Sequence, residues 1–399
     1  MTKNKVSSIR ILLTLSGLTF LGPFALDAFL PAIKGAAQDL NTTEGQIMIS
    51  WAMLAVGSGL GQIFYGPISD KVGRKPVIIF GLTLYIITSA ISATVTSVEP
   101  LFFLRFFQGL ALASSMIMMR SVVRDLFNVK EGAKLFSNLF CILAFMPIIG
   151  PVIGGYLTNQ FGWHSLFIGM ALASSISLII IIVFLDESLS KKDKNALRPK
   201  ILMDSFKEII SEYNFLTFLL IGIGTYIGLF GVLAGITTVL TGSLQQNAEM
   251  VGYYISTVMV GHFVFAVLAG AIIQYLGINR IIFIGTLTSL FGATILGWWA
   301  LNGIITIYSV LIPTTIYLMG FALTMPAMSA GAMSNFQHMS GRASSLLGFI
   351  HQVAGALTAI IIGFVVDGTQ IPMAIALFSG SLFAFLIYII RISKVRFED

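Results

Sequence analysis

"GPISDKVGRKP", residues 66–76, is a short charged turn between two long apolar runs, 46–67 and 76–96. Each run holds about 20 residues, the length that crosses the hydrocarbon core of a bilayer. Within the turn, Gly66 permits close approach of helices, and Gly73 permits a tight reversal of the chain. Asp70 stands at a helix end, with Arg74 and Lys75 within reach across the turn. Such a cluster can hold a gate in one state and release it in another. An inert basic loop is the alternative.

The composition extends this reading to the whole chain. Of 399 residues, 56% are hydrophobic and 10% charged, and the mean hydropathy is +0.93. A soluble domain carries about 25% charged residues, so this chain lacks the charge to cover a water-facing surface. It reads as an all-α polytopic membrane protein. The roughly ten-residue alternation of membrane barrel strands is absent. The single cysteine, Cys141, lies in an apolar run and excludes an intrachain disulfide. No spacing suits a metal or haem. No nucleophile–base constellation or nucleotide loop suggests an enzyme, and no filter-like segment suggests a channel.

The apolar runs give twelve transmembrane helices: 11–33, 46–67, 76–96, 101–123, 135–158, 163–185, 214–240, 250–275, 280–300, 303–328, 343–366 and 371–391. The first is too long for a signal-peptide core and has many successors, so it is expected to be retained. An even number puts both termini on one side. Lys3, Lys5, Arg10, Lys71, Arg74, Lys75, Arg124, Lys130 and Lys134 fall there. So do Lys191, Lys192, Lys194, Arg198, Lys200, Lys207, Arg280, Arg342, Arg391, Lys394 and Arg396. The other side has Lys34 at a helix end and Arg105 just inside the membrane. The positive-inside rule makes the basic side cytoplasmic. The net charge of +6 is then orientation information near anionic lipid and implies no nucleic-acid partner.

Residues 186–213 form the one long polar segment and divide the chain into halves, 1–185 and 214–399. Ile201, Phe206, Ile209 and Ile210 suit either an interfacial amphipathic helix or a solvated linker. The halves look like repeats. Gly66 and Gly73 align with Gly270 and Gly277 at a common offset of 204, with Gln274 in the place of Asp70. Two six-span repeats predict a transporter of two pseudo-symmetric six-helix bundles, with its site between them near the midplane.

Residues 66–76 resemble the signature loop of the major facilitator superfamily, Gly-x-x-x-Asp-x-x-Gly-Arg-Lys. "RFFQGL", 105–110, resembles its fourth-span Arg-x-x-Gln-Gly motif. "GPVIGGYL", 150–157, resembles the Gly-Pro-x-x-Gly-Gly motif of proton-driven exporters. "ALDAFLPA" at 25–32, "RSVVRDLF" at 120–127 and "LAFMPIIGP" at 143–151 are similar to the bicyclomycin/chloramphenicol-resistance branch of drug:proton antiporters. The resemblance spans essentially the whole chain, more weakly in the second half. It implies the major facilitator fold and export driven by the proton gradient, with no cofactor. It also implies a small organic substrate, protons and lipid as partners, a monomer, and the bacterial inner membrane.

Asp27 is the only carboxylate well inside a span. A charge there costs at least about 2.5–3.5 kcal/mol on insertion scales. Asp27 lies about 9 Å deep in span 1 and Arg105 about 6 Å deep in span 4, counted from the same side at 1.5 Å per residue. The resemblance puts both spans against the central cavity, where Asp27 and Arg105 are expected to act as the proton-coupling pair. Snorkelling by Arg105 and an interhelical hydrogen bond by Asp27 are the alternatives. The second span-1 acid of some drug antiporters is missing, since Gly17 and Thr19 stand there. One carboxylate is expected to lose and regain its proton.

Gly66, Asp70, Gly73, Arg74, Lys75, Arg124 and Asp125 form the expected cytoplasmic gate. Arg120 and Arg124, one turn apart, snorkel or brace the loop, and a role for Arg120 in substrate or proton handling is the alternative. Gly150, Pro151, Gly154 and Gly155 are expected to seal or hinge the interface between halves, with generic small-residue packing as the alternative. Helical spacing puts Phe20, Pro23, Phe24, Gln108, Leu112 and Met116 on the cavity wall, with Tyr226 and Phe230 opposite. Thioether and aromatic walls suit varied ligands. His262 and His351 read as polar glue between helices. The expected function is proton-coupled antiport of small, mostly apolar compounds such as antibiotics. Export of one endogenous metabolite or siderophore, and solute import, are alternatives on the same fold.

Overall fold

The computed structural model describes residues 8–193, 196–197, 199–336 and 339–395. Lys3, Lys5, Lys194, Arg198 and Arg396, used above for orientation, lie outside them. The described residues form helices, with no strand among them. The helices are α1 (Ser8–Asp27), α2 (Ile33–Asp39), α3 (Glu44–Val72), α4 (Arg74–Ser92), α5 (Val98–Leu126), α6 (Val129–Phe161) and α7 (His164–Phe184). After the polar segment come α8 (Pro199–Ser211), α9 (Tyr213–Thr241), α10 (Ala248–Leu301), α11 (Ile307–Met333), α12 (Ser340–Val365) and α13 (Ile371–Arg391).

Eleven helices among the described residues are long and apolar enough to cross a membrane. One of them, α10, has 54 residues, about 80 Å of helix against a hydrocarbon core of about 30 Å. Its helical geometry breaks at Gly277, where φ is 75° and ψ 166°. The arms 248–276 and 278–301 are therefore separate crossings, and the total is twelve. Gly73, which ends α3, has φ 119° and ψ 160°. Both breaks use backbone angles that a residue with a Cβ adopts only under strain.

Span 1 departs from the continuous helix expected over 11–33. It stops at Asp27, makes a 3-10 turn over Leu30–Ala32, and resumes as α2. Pro31 has no N–H to return to the carbonyl of Asp27 four residues back, so the α-helix cannot run through. In the polar segment, α8 is a helix whose Ile209 is buried beside Phe215 and Phe218.

Arg10 Nη2 donates to the carbonyl of Phe184 at 2.8 Å, and Tyr213 Oη to that of Arg391 at 3.3 Å. These bonds bring the start of α1, the end of α7, the start of α9 and the end of α13 to one face, called the terminal face below. The halves meet along two seams, α3 on α12 and α6 on α10. At the far face both seams close on glycine. A Cβ on Gly45 would strike the carbonyl of Gly363, and one on Gly252 that of Pro151. At the terminal face Gly66, Gly270 and Gly341 have nothing within 4 Å of a Cβ position. The molecule is shut at the far face and parted at the terminal face. Gly66 makes no close helix contact in this state, because the surfaces it would join are apart.

Candidate functional site

Parting the halves opens a central cavity of ≈ 450 Å³ and, at the terminal face, a vestibule of ≈ 760 Å³. Ile117, Arg120 and Ser344 line both, so the two form one path. Asp27, the last residue of α1, lines the cavity and is 7% exposed. Its carboxylate has no hydrogen bond or ion pair among the described residues. Gly150 packs against it: a Cβ there would lie 3.4 Å from Asp27 Cβ.

Arg105 does not meet Asp27, which corrects the expected pair. It is fully buried within the first half. Its guanidinium carbon lies 3.8 Å from the ring centre of Phe29 and 4.7 Å from that of Phe167, a cation–π arrangement. Arg105 Nη1 donates to Gln108 at 3.3 Å, while Nε and Nη2 find no acceptor among the described residues. Gln108 donates to Ser89 at 3.1 Å and Ser92 at 3.4 Å, and is absent from the cavity wall, a second correction. Arg105 shares a helix face with Leu112 but sits about 10 Å nearer the far face. There the turn after Asp27 lays Phe29 across it.

Of the other expected wall residues, Leu112, Met116, Tyr226 and Phe230 line the cavity. Phe20 and Phe24 do not; they stack on each other at 4.8 Å. Span 1 contributes the expected Pro23, with Gly22 and Leu26 in place of the two phenylalanines, beside Asp27. At 100° per residue these four cover one stripe with Asp27 at its edge. Counting symmetrically around Asp27 therefore chose two phenylalanines beyond that edge. On the opposite wall Tyr226 stacks on His351 at 4.9 Å and meets Phe321 edge-on at 5.8 Å. His351 Nε2 lies 3.1 Å from the Leu219 carbonyl, and His262 Nδ1 3.4 Å from that of Leu318. Both histidines link neighbouring helices while lining the cavity.

At the terminal face Arg74 is the hub of the signature turn. Its guanidinium bonds Asp70 at 2.6 Å, Asp125 at 2.9 Å and Ser69 at 2.5 Å. Glu187 was not anticipated. It accepts from the backbone N–H groups of Arg74 at 2.9 Å, Lys75 at 3.2 Å and Leu189 at 3.0 Å. Gly73 has no side chain to cap α4, and Glu187 supplies the anion that a helix start favours. The uncapped helix start in the sequence was the available signal. Lys75 Nζ donates to the carbonyl of Ile182 at 2.9 Å. Arg124 lines the vestibule without an ion pair among the described residues. All the bonds of this hub stay within the first half and the polar segment.

The glycine motif of α6 divides onto two faces. Gly150 and Gly154 meet the end of α1, where a Cβ on Gly154 would strike the Ala28 carbonyl. Pro151 and Gly155 meet α10, where a Cβ on Gly155 would lie 2.5 Å from the carbonyl oxygen of Ala248. Beside them Ser256 Oγ donates to the carbonyl of Ile148 at 2.5 Å. A polar clasp finishes the far face. Lys34 Nζ donates to the Thr241 carbonyl at 2.9 Å and to Gln245 Oε1 at 3.4 Å. Thr241 Oγ1 donates to Glu44 Oε2 at 2.8 Å, and Asn159 Nδ2 to Glu249 Oε2 at 3.2 Å. The clasp was invisible in sequence, because its partners stand 90 to 211 positions apart.

Comparison with known proteins adds to this geometry. The Major Facilitator Superfamily profile matches residues 15–359. The bicyclomycin resistance protein homolog of Haemophilus influenzae is 25% identical over 397 residues, 97% of either chain. Multidrug resistance protein D of Escherichia coli is 25% identical over 88% of either chain. A crystal structure of a D-xylose-proton symporter superposes with a TM-score of 0.74 over 98% of both chains at 17% identity, a likeness of fold.

Proposed function

The chain belongs to the Major Facilitator Superfamily and is a multi-pass membrane transporter rather than an enzyme, and from that premise we propose that it exports small organic compounds in exchange for protons. One observation carries the proposal. Among the described residues Asp27 is the only Asp or Glu in the wall of a cavity built by both halves, and none of them engages its carboxylate. A carboxylate so placed can take a proton when the cavity faces one side and release it when the cavity faces the other. Substrate and proton then favour opposite states, and the proton gradient drives the substrate outward. The distribution of Lys and Arg supports a cytoplasmic terminal face in the bacterial inner membrane. On that orientation the structure is inward-open. The names of the full-length relatives support an antibiotic as cargo. The cycle needs one chain and no cofactor.

The test uses purified protein in liposomes under an imposed pH gradient, with phenicols, bicyclomycin and cationic dyes as cargo. Wild type should accumulate at least one of these against its gradient. Asp27→Asn should bind the same compound yet lose the coupled accumulation. Retention of gradient-driven transport in that variant would remove Asp27 from the mechanism.

A further inference from the structure

The path into the cavity carries a positive charge that the proton-coupling reading does not use. Among the described residues Arg120 is the one Lys or Arg lining the central cavity, and it stands on the throat shared with the vestibule. Its side chain is exposed to that opening and has no ion pair among the described residues. Carboxylates near this end of α5 are engaged elsewhere. Asp70 and Asp125 both bond Arg74. Arg124, one turn on, faces the vestibule. Across it Arg342 donates to Ser205 at 2.7 Å. Asp193 is the remaining acid of the vestibule wall.

Tyr226 lines the same cavity as Arg120. From Tyr226 an aromatic surface runs into the cavity, through Phe230 at 6.4 Å and Phe321 at 5.8 Å between ring centres. A guanidinium in a confined opening is a planar donor for carboxylate, sulfonate or phosphate oxygens. Aromatic faces beside it stack on a flat apolar ring. The cavity volume of ≈ 450 Å³ lies in the range that holds such a molecule.

We propose that the cavity selects aromatic organic acids and zwitterions over their neutral and cationic counterparts, with Arg120 reading the acid and the Tyr226–Phe230 surface the ring. The proposal rests on the export reading, because it takes the cavity as the substrate's path, and it narrows the substrate class. If Arg120 only snorkelled toward lipid headgroups, the charge of a ligand would leave its affinity unchanged.

Equilibrium binding to the full-length protein in detergent tests this, using 1-naphthoate, 1-naphthamide and 1-naphthylmethylammonium as matched probes. Wild type should bind the acid about tenfold or more tightly than the amide, and the cation most weakly. Arg120→Met should bring the acid-to-amide ratio to within about twofold, and Arg120→Lys should keep much of the preference. Phe230→Leu should weaken all three probes by a similar factor. Equal affinities in wild type, or a preference that survives Arg120→Met, would overturn the proposal. Binding in detergent needs no gradient. Acid selectivity without proton-coupled transport of 1-naphthoate in liposomes would therefore sink the export reading alone, and coupled transport without acid selectivity would sink only this one.

Discussion

Replacing Lys34 with methionine should shift the molecule toward the state open at the far face. Lys34 Nζ holds the Thr241 carbonyl at 2.9 Å and Gln245 at 3.4 Å, and both bonds cross from the first half to the second. They exist only while the far face is shut. Methionine keeps the apolar stem and removes the ammonium. A hydrogen bond to a charged group contributes about 1.5–3 kcal/mol, and partial exposure of Lys34 favours the lower figure. A loss of about 1.5 kcal/mol lowers the closed-to-open ratio about tenfold. Spin labels at Gln38→Cys and Asn302→Cys, exposed far-face positions in opposite halves, would report the distance by pulsed electron resonance. Cys141 is exposed and must first become serine. Lys34→Met should raise the long-distance population severalfold. Glu44→Gln keeps a carbonyl acceptor for Thr241 and should move it less. Identical distance distributions in wild type and Lys34→Met would show that the clasp does not set the equilibrium.

Adjacent glycines of α6 should separate stability from conformation. Gly154→Ala drives a methyl into Ala28 within the first half and should lower the melting temperature, whereas Gly155→Ala presses on Ala248 across the seam and should favour far-face opening at little expense in melting. The reverse assignment would refute the two-face reading of the motif. Asp27→Asn and Arg105→Met should act independently, with a coupling below about 0.5 kcal/mol in a double-mutant cycle on substrate binding. A larger coupling would show that they meet elsewhere in the cycle. Glu187→Ala removes the cap of α4 and should destabilise the protein by about 1 kcal/mol, seen as a lower melting temperature. No change would mean that Arg74 alone holds the turn.

Much of this fold was legible because it depends on local chemistry. Apolar runs mark crossings, and the glycine pair at 73 and 277 falls at both tight breaks. The site was legible only where one helix decided it. Leu112 and Met116 follow from spacing on α5, and Tyr226 and Phe230 from spacing on α9. Arg105 was misread because its surroundings depend on Pro31, which breaks a different helix and turns Phe29 over the guanidinium. Depth along the membrane normal matched Asp27 to Arg105, but depth carries no information about lateral direction. The contacts of Lys34, Glu44 and Glu187 escaped notice for a related reason: each residue acts on backbone or hydroxyl groups far away in sequence, and those groups leave no motif.

The same contrast bears on the signature turn itself. Gly73 and Gly277 make equivalent breaks, yet only the first is pinned, by Arg74 to Asp70 and Asp125 and by Glu187 to the start of α4. Gly277 has nothing within 4 Å of its Cβ position. In the state seen here the Arg74 hub bonds no residue of the second half, so it stiffens its own bundle instead of latching two bundles together. A latch at this face must use surfaces now open. Gly66 and Asp70 line the vestibule, and Arg342 and Ser344 line it from the other side. We propose that the charge cluster works as a rigid plate. Its internal bonds hold Asp70 and the bare surface of Gly66 in place, so that closure needs the second half to move and not the turn to re-form. Asp70→Asn separates the two ideas. A plate that has lost one of its two ion pairs keeps Arg74 on Asp125 and should still close, whereas a latch made by Asp70 itself should fail to shut the terminal face.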